Sequence, residues 1–157
     1  MISATFKPAT PDWKARLEDS FGRQAAMRTL GISILDLKPG AVDLGFPFDE
    51  RLTQQHGFIH AGITTTALDS ACGYAAFSLM PADAAVLTIE LKTNLLAPAS
   101  GARFVCEGRV IKAGRTIVVT EGKAWAFGDT HADARPRLIA TMSATMMTVI
   151  GRDAVIG

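Results

Sequence analysis

Apolar residues near the start of the chain recur with a helical period. The repeat falls every four positions, at Trp13, Leu17 and Phe21, and predicts one apolar stripe on a short amphipathic helix. Thr10-Pro11 is typical of a helix start, so we place the first turn there. Residues 24–30 predict a second short helix, because Gly31 is a typical stop.

Most of the remaining chain alternates apolar and polar residues. This alternation predicts strands, the first of which we expect to be mostly buried. The predicted strands cover residues 32–37, 41–48, 85–95, 103–111, 116–127 and 138–150. Short turn sequences between neighbouring strands, such as Lys38-Pro39-Gly40, indicate hairpins and therefore antiparallel pairing.

The middle of the chain holds a long apolar segment with a single charge. Residues 61–79 predict a helix, which Met80-Pro81 ends. Between Leu52 and Ala82, Asp69 is the only residue among Asp, Glu, Lys and Arg. A helix without a charged face is not a surface helix, so we expect the sheet to surround it. Strands grouped around one long helix predict an α+β fold with an antiparallel sheet.

Composition limits the class of protein further. The 157 residues are 48% hydrophobic and 20% charged, which predicts a folded domain with a sizeable core. We divide the chain into a helical arm (residues 1–30), a main domain (31–150) and a tail (151–157). The net charge of +1 gives no electrostatic reason to expect nucleic acid or an anionic membrane as a partner.

Targeting and redox signals point to a cytoplasmic protein. The first residues lack a basic stretch followed by an apolar run, so no signal peptide is expected. The uncharged run over residues 52–68 contains His56, His60 and four threonines, so it predicts no membrane span. Cys72 and Cys106 lie in apolar stretches without CxxC spacing, which disfavours a disulfide framework or a cysteine-based zinc site.

Asp69 is the first candidate for chemistry. A carboxylate buried on an uncharged helix must be paired, hydrogen-bonded or shifted in its pKa. Small residues share its helix face, which leaves room for a ligand and makes Asp69 a candidate acid or base. Those small residues are Gly62, Thr65, Thr66, Cys72, Gly73 and Ala76. Gly62, Thr65 and Gly73 are therefore candidate substrate contacts.

A purely structural role for the same residues stays open. The Thr65 and Thr66 hydroxyls lie four and three residues before Asp69, so they are placed to hydrogen-bond its carboxylate. The small residues would then serve to let a second helix pack closely. The sequence favours neither interpretation over the other.

The start of the long helix is the second candidate site. Unpaired N–H groups and the positive end of the helix dipole suit a carbonyl oxygen that becomes an oxyanion. Gln54 can add a side-chain N–H group, and His60 lies at or next to the N-cap position. A metal site formed by His56, His60 and Asp69 is disfavoured, because the spacing of the two histidines needs a helix and this stretch predicts a loop.

With these residues in place, the chain resembles the hotdog-fold acyl-CoA thioesterases, specifically the PaaI-like branch. The resemblance rests on His60-Ala61-Gly62 followed by Asp69 nine residues after the histidine, where the family usually has His-Gly-Gly, six residues and Asp. Residues 87–99 and 110–119 are also similar to their family counterparts. The resemblance implies a sheet wrapped around the long helix, a homodimer with active sites at the subunit interface, and a plausible tetramer.

The resemblance also implies roles for individual residues. Asp69 is implied to be the nucleophile or general base, and the backbone N–H of Ala61 to polarise the thioester carbonyl. Gln54 is implied to assist, and His60 to shape the helix start. Thr88 is implied to help place the water, from the partner chain. Ala61 replaces the usual first glycine and Gln54 the usual asparagine, so we expect substrate preference rather than chemistry to differ.

Coenzyme A is part of such a substrate, so no separate cofactor and no metal are expected. Lys112 and Arg115 are candidates to bind its phosphates, although they are equally well read as solvated turn charges. Two alternative functions remain. An enoyl-thioester hydratase or dehydratase usually pairs a histidine and a carboxylate across the site, whereas His60 and Asp69 come from one segment. A non-catalytic acyl-CoA binding module is the other alternative.

Overall fold

The computed structural model describes residues 6–128 and 135–152. Three α-helices lie in this part of the chain, and they are α1 (Trp13–Arg23), α2 (Ala25–Leu30) and α3 (Ala61–Phe77). A single 3-10 turn, Glu50–Leu52, precedes α3. The strands are β1 (Ser33–Lys38), β2 (Ala41–Pro47), β3 (Ala84–Leu95), β4 (Arg103–Ala113), β5 (Ile117–Phe127) and β6 (Arg137–Ile150).

All six strands form one antiparallel sheet in the order β1-β2-β4-β5-β6-β3. The long helix α3 lies on one face of this sheet and contacts every strand from β2 to β6. The predicted α+β hotdog architecture, with a sheet wrapped around one long helix, is confirmed. Strands β1 and β3 form the two edges of the sheet, and β3 runs beside α3.

The core lies between α3 and the inner face of the sheet, and small residues set its spacing. A Cβ atom built on Gly108 would lie 2.3 Å from the backbone carbonyl carbon of Ala71. One built on Gly122 would lie 3.1 Å from the Cys72 sulfur. Ala71 and Cys72, two of the small residues of α3, therefore allow the helix to pack closely on β4 and β5 and do not leave space for a ligand.

The N-terminal helix α1 covers the side of α3 that the sheet leaves open. Phe21 packs edge-to-face against Tyr74 of α3, with ring centroids 5.5 Å apart. Arg16 donates to the carbonyl oxygens of Phe77, Met80 and Pro81 at 3.3, 3.0 and 2.5 Å. The three carbonyls belong to the last residue of α3 and to the turn that follows it, so Arg16 stabilises the C-terminal end of that helix.

Three expectations about local structure are corrected. Helix α1 begins at Trp13 with Asp12 as its N-cap residue, because Thr10 only closes a preceding turn through its carbonyl oxygen. Helix α3 ends at Phe77, since Leu79 and Met80 already bond three residues back. Strand β1 is largely exposed instead of buried, because it is an edge strand that pairs only with β2.

None of the helices in the described part of the chain has the length and apolar character needed to cross a membrane.

Candidate active site

Asp69 lies in the middle of α3, on the side that faces the edge strand β3. Its Oδ1 atom accepts a hydrogen bond of 2.8 Å from the Thr88 hydroxyl. No other hydrogen bond to this carboxylate is found within residues 6–128 and 135–152, so Oδ2 is available to take a proton or to attack a carbonyl. The contact with Thr88 lies within one chain, whereas the family resemblance implied a threonine from the partner. The difference follows from β3 running directly beside α3.

The neighbouring threonines do not hold Asp69 in place. Thr65 donates to the hydroxyl of Thr93 on β3 at 3.4 Å, and Thr66 donates to the carbonyl of Gly62 at 2.8 Å. Asp69 is also only half-buried, which corrects the expectation of a fully buried acid. The reason is that β3 ends the sheet, so this flank of α3 has no second strand to cover it.

His60 organises the first turn of α3. It is the N-cap residue, and its Nδ1 atom accepts from the Gly62 amide at 2.9 Å. Glycine suits position 62 because an added Cβ would lie 3.0 Å from the same Nδ1 atom. The His60 carbonyl accepts from Ile63 and Thr64. Within the described residues this leaves the N–H of Ala61 as the helix-start amide without an acceptor.

Gln54 offers a second candidate donor before α3. Its side-chain oxygen accepts from the backbone N–H of His56, which fixes the orientation of the amide group and leaves Nε2 without a partner among the described residues. Its backbone closes a tight loop through bonds to Phe58 at 2.8 Å and from Gly57 at 3.0 Å. Gly57 has φ of +80°, which a side chain would strain.

Gln54 and Ala61 both line a cavity of about 490 Å³. Its walls come from the loop before α3, the first turn of α3, the segment that follows β3, and β6. They are mostly apolar, and the lining residues are Gln54, Phe58, Ile59, Ala61, Thr64, Leu95, Leu96, Ala97, Pro98, Ala99, Ile139 and Ala140. Of the residues predicted from the sequence, Gln54 and Ala61 belong to this lining.

The two candidate sites are too far apart to act together within one chain. Ala61 and Asp69 are eight residues apart on the same helix, which corresponds to about 12 Å along its axis. A thioester carbonyl that accepts from the Ala61 amide is therefore out of reach of the Asp69 carboxylate of the same chain. Each chain therefore holds two half-sites. The donor half-site consists of Ala61 and Gln54 with the apolar cavity, and the carboxylate half-site consists of Asp69 with the Thr88 hydroxyl.

Comparisons with known proteins identify the family. The family model described as Thioesterase superfamily matches residues 56–132. A solved thioesterase family protein from Silicibacter pomeroyi is 55% identical, with 88% of this chain and 99% of that chain covered and a TM-score of 0.84. The chain belongs to the thioesterase superfamily.

One further relative supports the family, and one further structure supports the fold. A curated protein of Halobacterium salinarum, whose name suggests an esterase, is 36% identical over 116 residues, which is 71% of this chain and 76% of the relative. The PaaI protein of E. coli shares the fold with a TM-score of 0.77 at 16% identity, over 89% of this chain and 95% of that chain. Membership of the thioesterase superfamily supports a hydrolase that acts on thioesters.

A thioesterase needs a nucleophile or a base, and neither described cysteine fits. Burial raises the pKa of the Cys72 thiol to about 12 and raises the pKa of Cys106 as well. Both thiols are therefore neutral near pH 7 and buried, so neither is poised to attack a substrate. Asp69 is half-buried, and one of its oxygens has no hydrogen-bond partner among the described residues, so it stays the candidate nucleophile or base.

The remaining predicted site residues do not line the cavity. Gly62 is exposed at the helix start, Thr65 bonds across to β3, and Gly73 is buried with open space beside its Cα. Lys112 and Arg115 are exposed at the β4–β5 turn. Roles for these residues as substrate contacts stay predictions.

Sequence reasoning passed over Thr64, which lines the cavity. Its position three residues after Ala61, on the same helix face, is the signal that would have found it.

Proposed function

We propose that the protein is an acyl-CoA thioesterase that works as a homodimer and releases a carboxylic acid and coenzyme A. The observation that carries the proposal is the Ala61 amide, which has no acceptor among the described residues and belongs to a residue that lines an apolar cavity. An unsatisfied N–H at the positive end of a helix, next to room for a hydrocarbon group, suits the carbonyl of an acyl thioester.

The donor half-site binds the substrate in this proposal. Ala61 N–H and Gln54 Nε2 donate to the thioester oxygen, and the acyl group extends into the cavity. As water adds to the carbonyl carbon, negative charge develops on that oxygen and both hydrogen bonds strengthen. Loss of one such donor typically lowers the rate about 10²- to 10³-fold.

The carboxylate half-site supplies the chemistry. Asp69 of one chain takes a proton from water, or attacks the carbonyl of a substrate held by the other chain, while Thr88 orients the carboxylate through Oδ1. In the overall reaction the carbon–sulfur bond breaks, hydroxide from water joins the acyl carbon, and the proton ends on the coenzyme A sulfur. No separate cofactor takes part.

A second copy of the chain is the partner that completes each site. Strand β3 is an edge strand, and its side chains Leu87, Ile89 and Leu91 are 44%, 53% and 38% exposed. An apolar edge with unpaired backbone groups favours pairing with another strand. Because Asp69 and Thr88 lie beside this edge, a copy paired along β3 would bring its own helix start towards them. A tetramer built from two such dimers remains part of the expectation.

The direct test measures thiol release from a panel of aryl, short, medium and long acyl-CoAs. Wild-type protein should hydrolyse at least one class. Asp69→Asn should lose about 10²- to 10⁴-fold in kcat, the usual contribution of a positioned acid or base. Asp19→Asn, on the exposed side of α1, is the matched control and should retain wild-type turnover. Turnover by Asp69→Asn equal to that of the control would refute the assignment.

A further inference from the structure

The exposed part of the edge strand β3 carries one charge of each sign. Residues 87–95 are exposed, with the exception of the partly buried Thr93. Glu90 and Lys92 are the two charged residues of this stretch, and neither forms an ion pair within residues 6–128 and 135–152. An edge strand with unpaired backbone groups can pair with another strand, and a second copy of this strand offers a partner to both charges.

Glu90 and Lys92 lie on the same face of the sheet. Glu90 accepts a hydrogen bond of 3.0 Å from the Thr145 hydroxyl on β6, and Lys92 lies opposite the exposed Ser143 of the same strand. Both side chains are therefore on the outer face, away from α3, and Leu91 between them is on the other face. Residues directly opposite each other on antiparallel strands share a face, so Glu90 of one copy and Lys92 of another can meet.

Symmetry limits how two copies of β3 can pair. In a two-fold dimer, the residue on the axis lies opposite its own copy. An axis at Glu90 would place two carboxylates opposite each other, and an axis at Lys92 would do the same with two ammonium groups, which is unfavourable in both cases. An axis at Leu91 instead places Glu90 opposite the partner's Lys92, twice in each dimer. Leu91 is also the middle residue of the exposed stretch 87–95, so the whole stretch then pairs with its copy.

We infer that two copies of the chain pair antiparallel along β3 with the two-fold axis at Leu91. This inference rests on the homodimer of the proposed function and fixes the register of its strands, which that proposal leaves open. Each dimer then contains two Glu90–Lys92 pairs on the outer face and a contact between the two Leu91 side chains on the face of the helices. The sheets of the two chains become one continuous sheet.

The same register brings half-sites of different chains together. It places the partner's Thr88 beside Thr93, which accepts a hydrogen bond from Thr65 of α3. Thr65 lies four residues after Ala61, which corresponds to about 6 Å along the helix axis. The partner's Asp69, bonded to its own Thr88, is therefore offset from Ala61 by about one helical turn. Within one chain the same two residues are eight positions apart, so this pairing halves their separation along the helix.

Disulfide formation between cysteine variants tests the register. Glu90→Cys and Lys92→Cys subunits are mixed, allowed to exchange and oxidised in a glutathione buffer. The mixture should form disulfide-linked dimers, because the two positions face each other within the distance of about 7 Å between Cα atoms that a disulfide can span. Each variant alone should stay unlinked, because its cysteine is displaced by two residues from its copy. Wild-type protein, whose Cys72 and Cys106 are buried, is the control for background linking.

Charge reversal at the same positions gives a second measurement, by sedimentation equilibrium. Glu90→Lys should raise the dissociation constant of the dimer about tenfold or more, because like charges then lie opposite each other at two places. The double variant Glu90→Lys/Lys92→Glu restores both pairs and should restore the wild-type value. Glu121→Lys makes the same charge change on β5, away from the edge strand, and is the matched control.

The outcomes separate the register from the proposed function. Linking of Glu90→Cys alone or of Lys92→Cys alone would place the axis at that residue and overturn the inference. A mixture that stays unlinked after confirmed exchange would overturn it too, as would equal dissociation constants for Glu90→Lys and Glu121→Lys. A monomeric wild-type protein would overturn both the register and the proposed dimer. Absence of thiol release from every acyl-CoA would instead refute the proposed enzymatic function and leave the register standing.

Discussion

Replacing Ala61 by proline removes one backbone N–H and little else. Ala61 is the first residue of α3, a position where proline is well tolerated because its fixed φ suits the helix. The preceding residue must then be extended, and His60 already has φ of −62° and ψ of 138°. The His60 cap on the Gly62 amide does not involve position 61. Ala61→Pro therefore tests the amide as an oxyanion donor with minimal disturbance to the fold.

The expected effects on stability and on rate have opposite signs. The Ala61 amide has no acceptor among the described residues, so proline breaks no hydrogen bond. Substitution to proline at a compatible position typically stabilises a protein by about 0.4–1 kcal/mol, through the unfolded state. For a domain of this size we expect the unfolding temperature to stay unchanged or to rise by about 1–4 °C. Loss of the donor should lower kcat about 10²- to 10³-fold.

The assay combines thermal unfolding with thiol-release kinetics on the best acyl-CoA substrate. Ala61→Gly is the matched control, because it keeps the N–H and removes only the methyl group. We expect Ala61→Gly to stay within a few fold of wild-type kcat. Wild-type kcat in a folded Ala61→Pro protein would show that this amide does not stabilise the transition state, and the donor half-site would have to be abandoned.

Two other predictions follow from the same geometry. Mixing Asp69→Asn subunits with Ala61→Pro subunits, each inactive alone, should restore about a quarter of wild-type activity. About half of the randomly exchanged dimers are mixed, and each mixed dimer holds one complete site of its two. If the mixture stays inactive after subunit exchange is confirmed, both groups of a site must come from one chain. The double variant Lys112→Ala/Arg115→Ala should raise KM for an acyl-CoA. KM for the N-acetylcysteamine thioester of the same acid should not change, because that substrate has no phosphates. Equal KM values for the acyl-CoA in variant and wild type would show that these two residues are only solvated turn charges.

The tertiary structure also explains why strand alternation alone misplaces side chains on β3. Thr88 bonds Asp69 and Thr93 bonds Thr65, so both point to the inner face although they are five residues apart. A β-bulge between Thr88 and Glu90 in the pairing with β6 shifts the alternation by one residue. Without the bulge, Thr88 and Thr93 would face opposite sides of the sheet, and at most one of them could hydrogen-bond to α3.

The sequence by itself determined the features that depend on neighbouring residues. Gly31 stops α2 with φ of +66°, His60 caps α3, and the charge-free segment around Asp69 becomes the helix that the sheet surrounds. Each follows from local backbone preference or from the cost of burying charge. These local rules were enough to predict the fold class and the helix start, and the family motif agreed with them.

Only the tertiary structure decided which distant groups meet. Thr88 reaches Asp69, and Leu95 and Ile139 close the cavity at Ala61, because the strand order places β3 beside both α3 and β6. Strand order and register are set by packing across the whole sheet, and no local stretch of sequence encodes them.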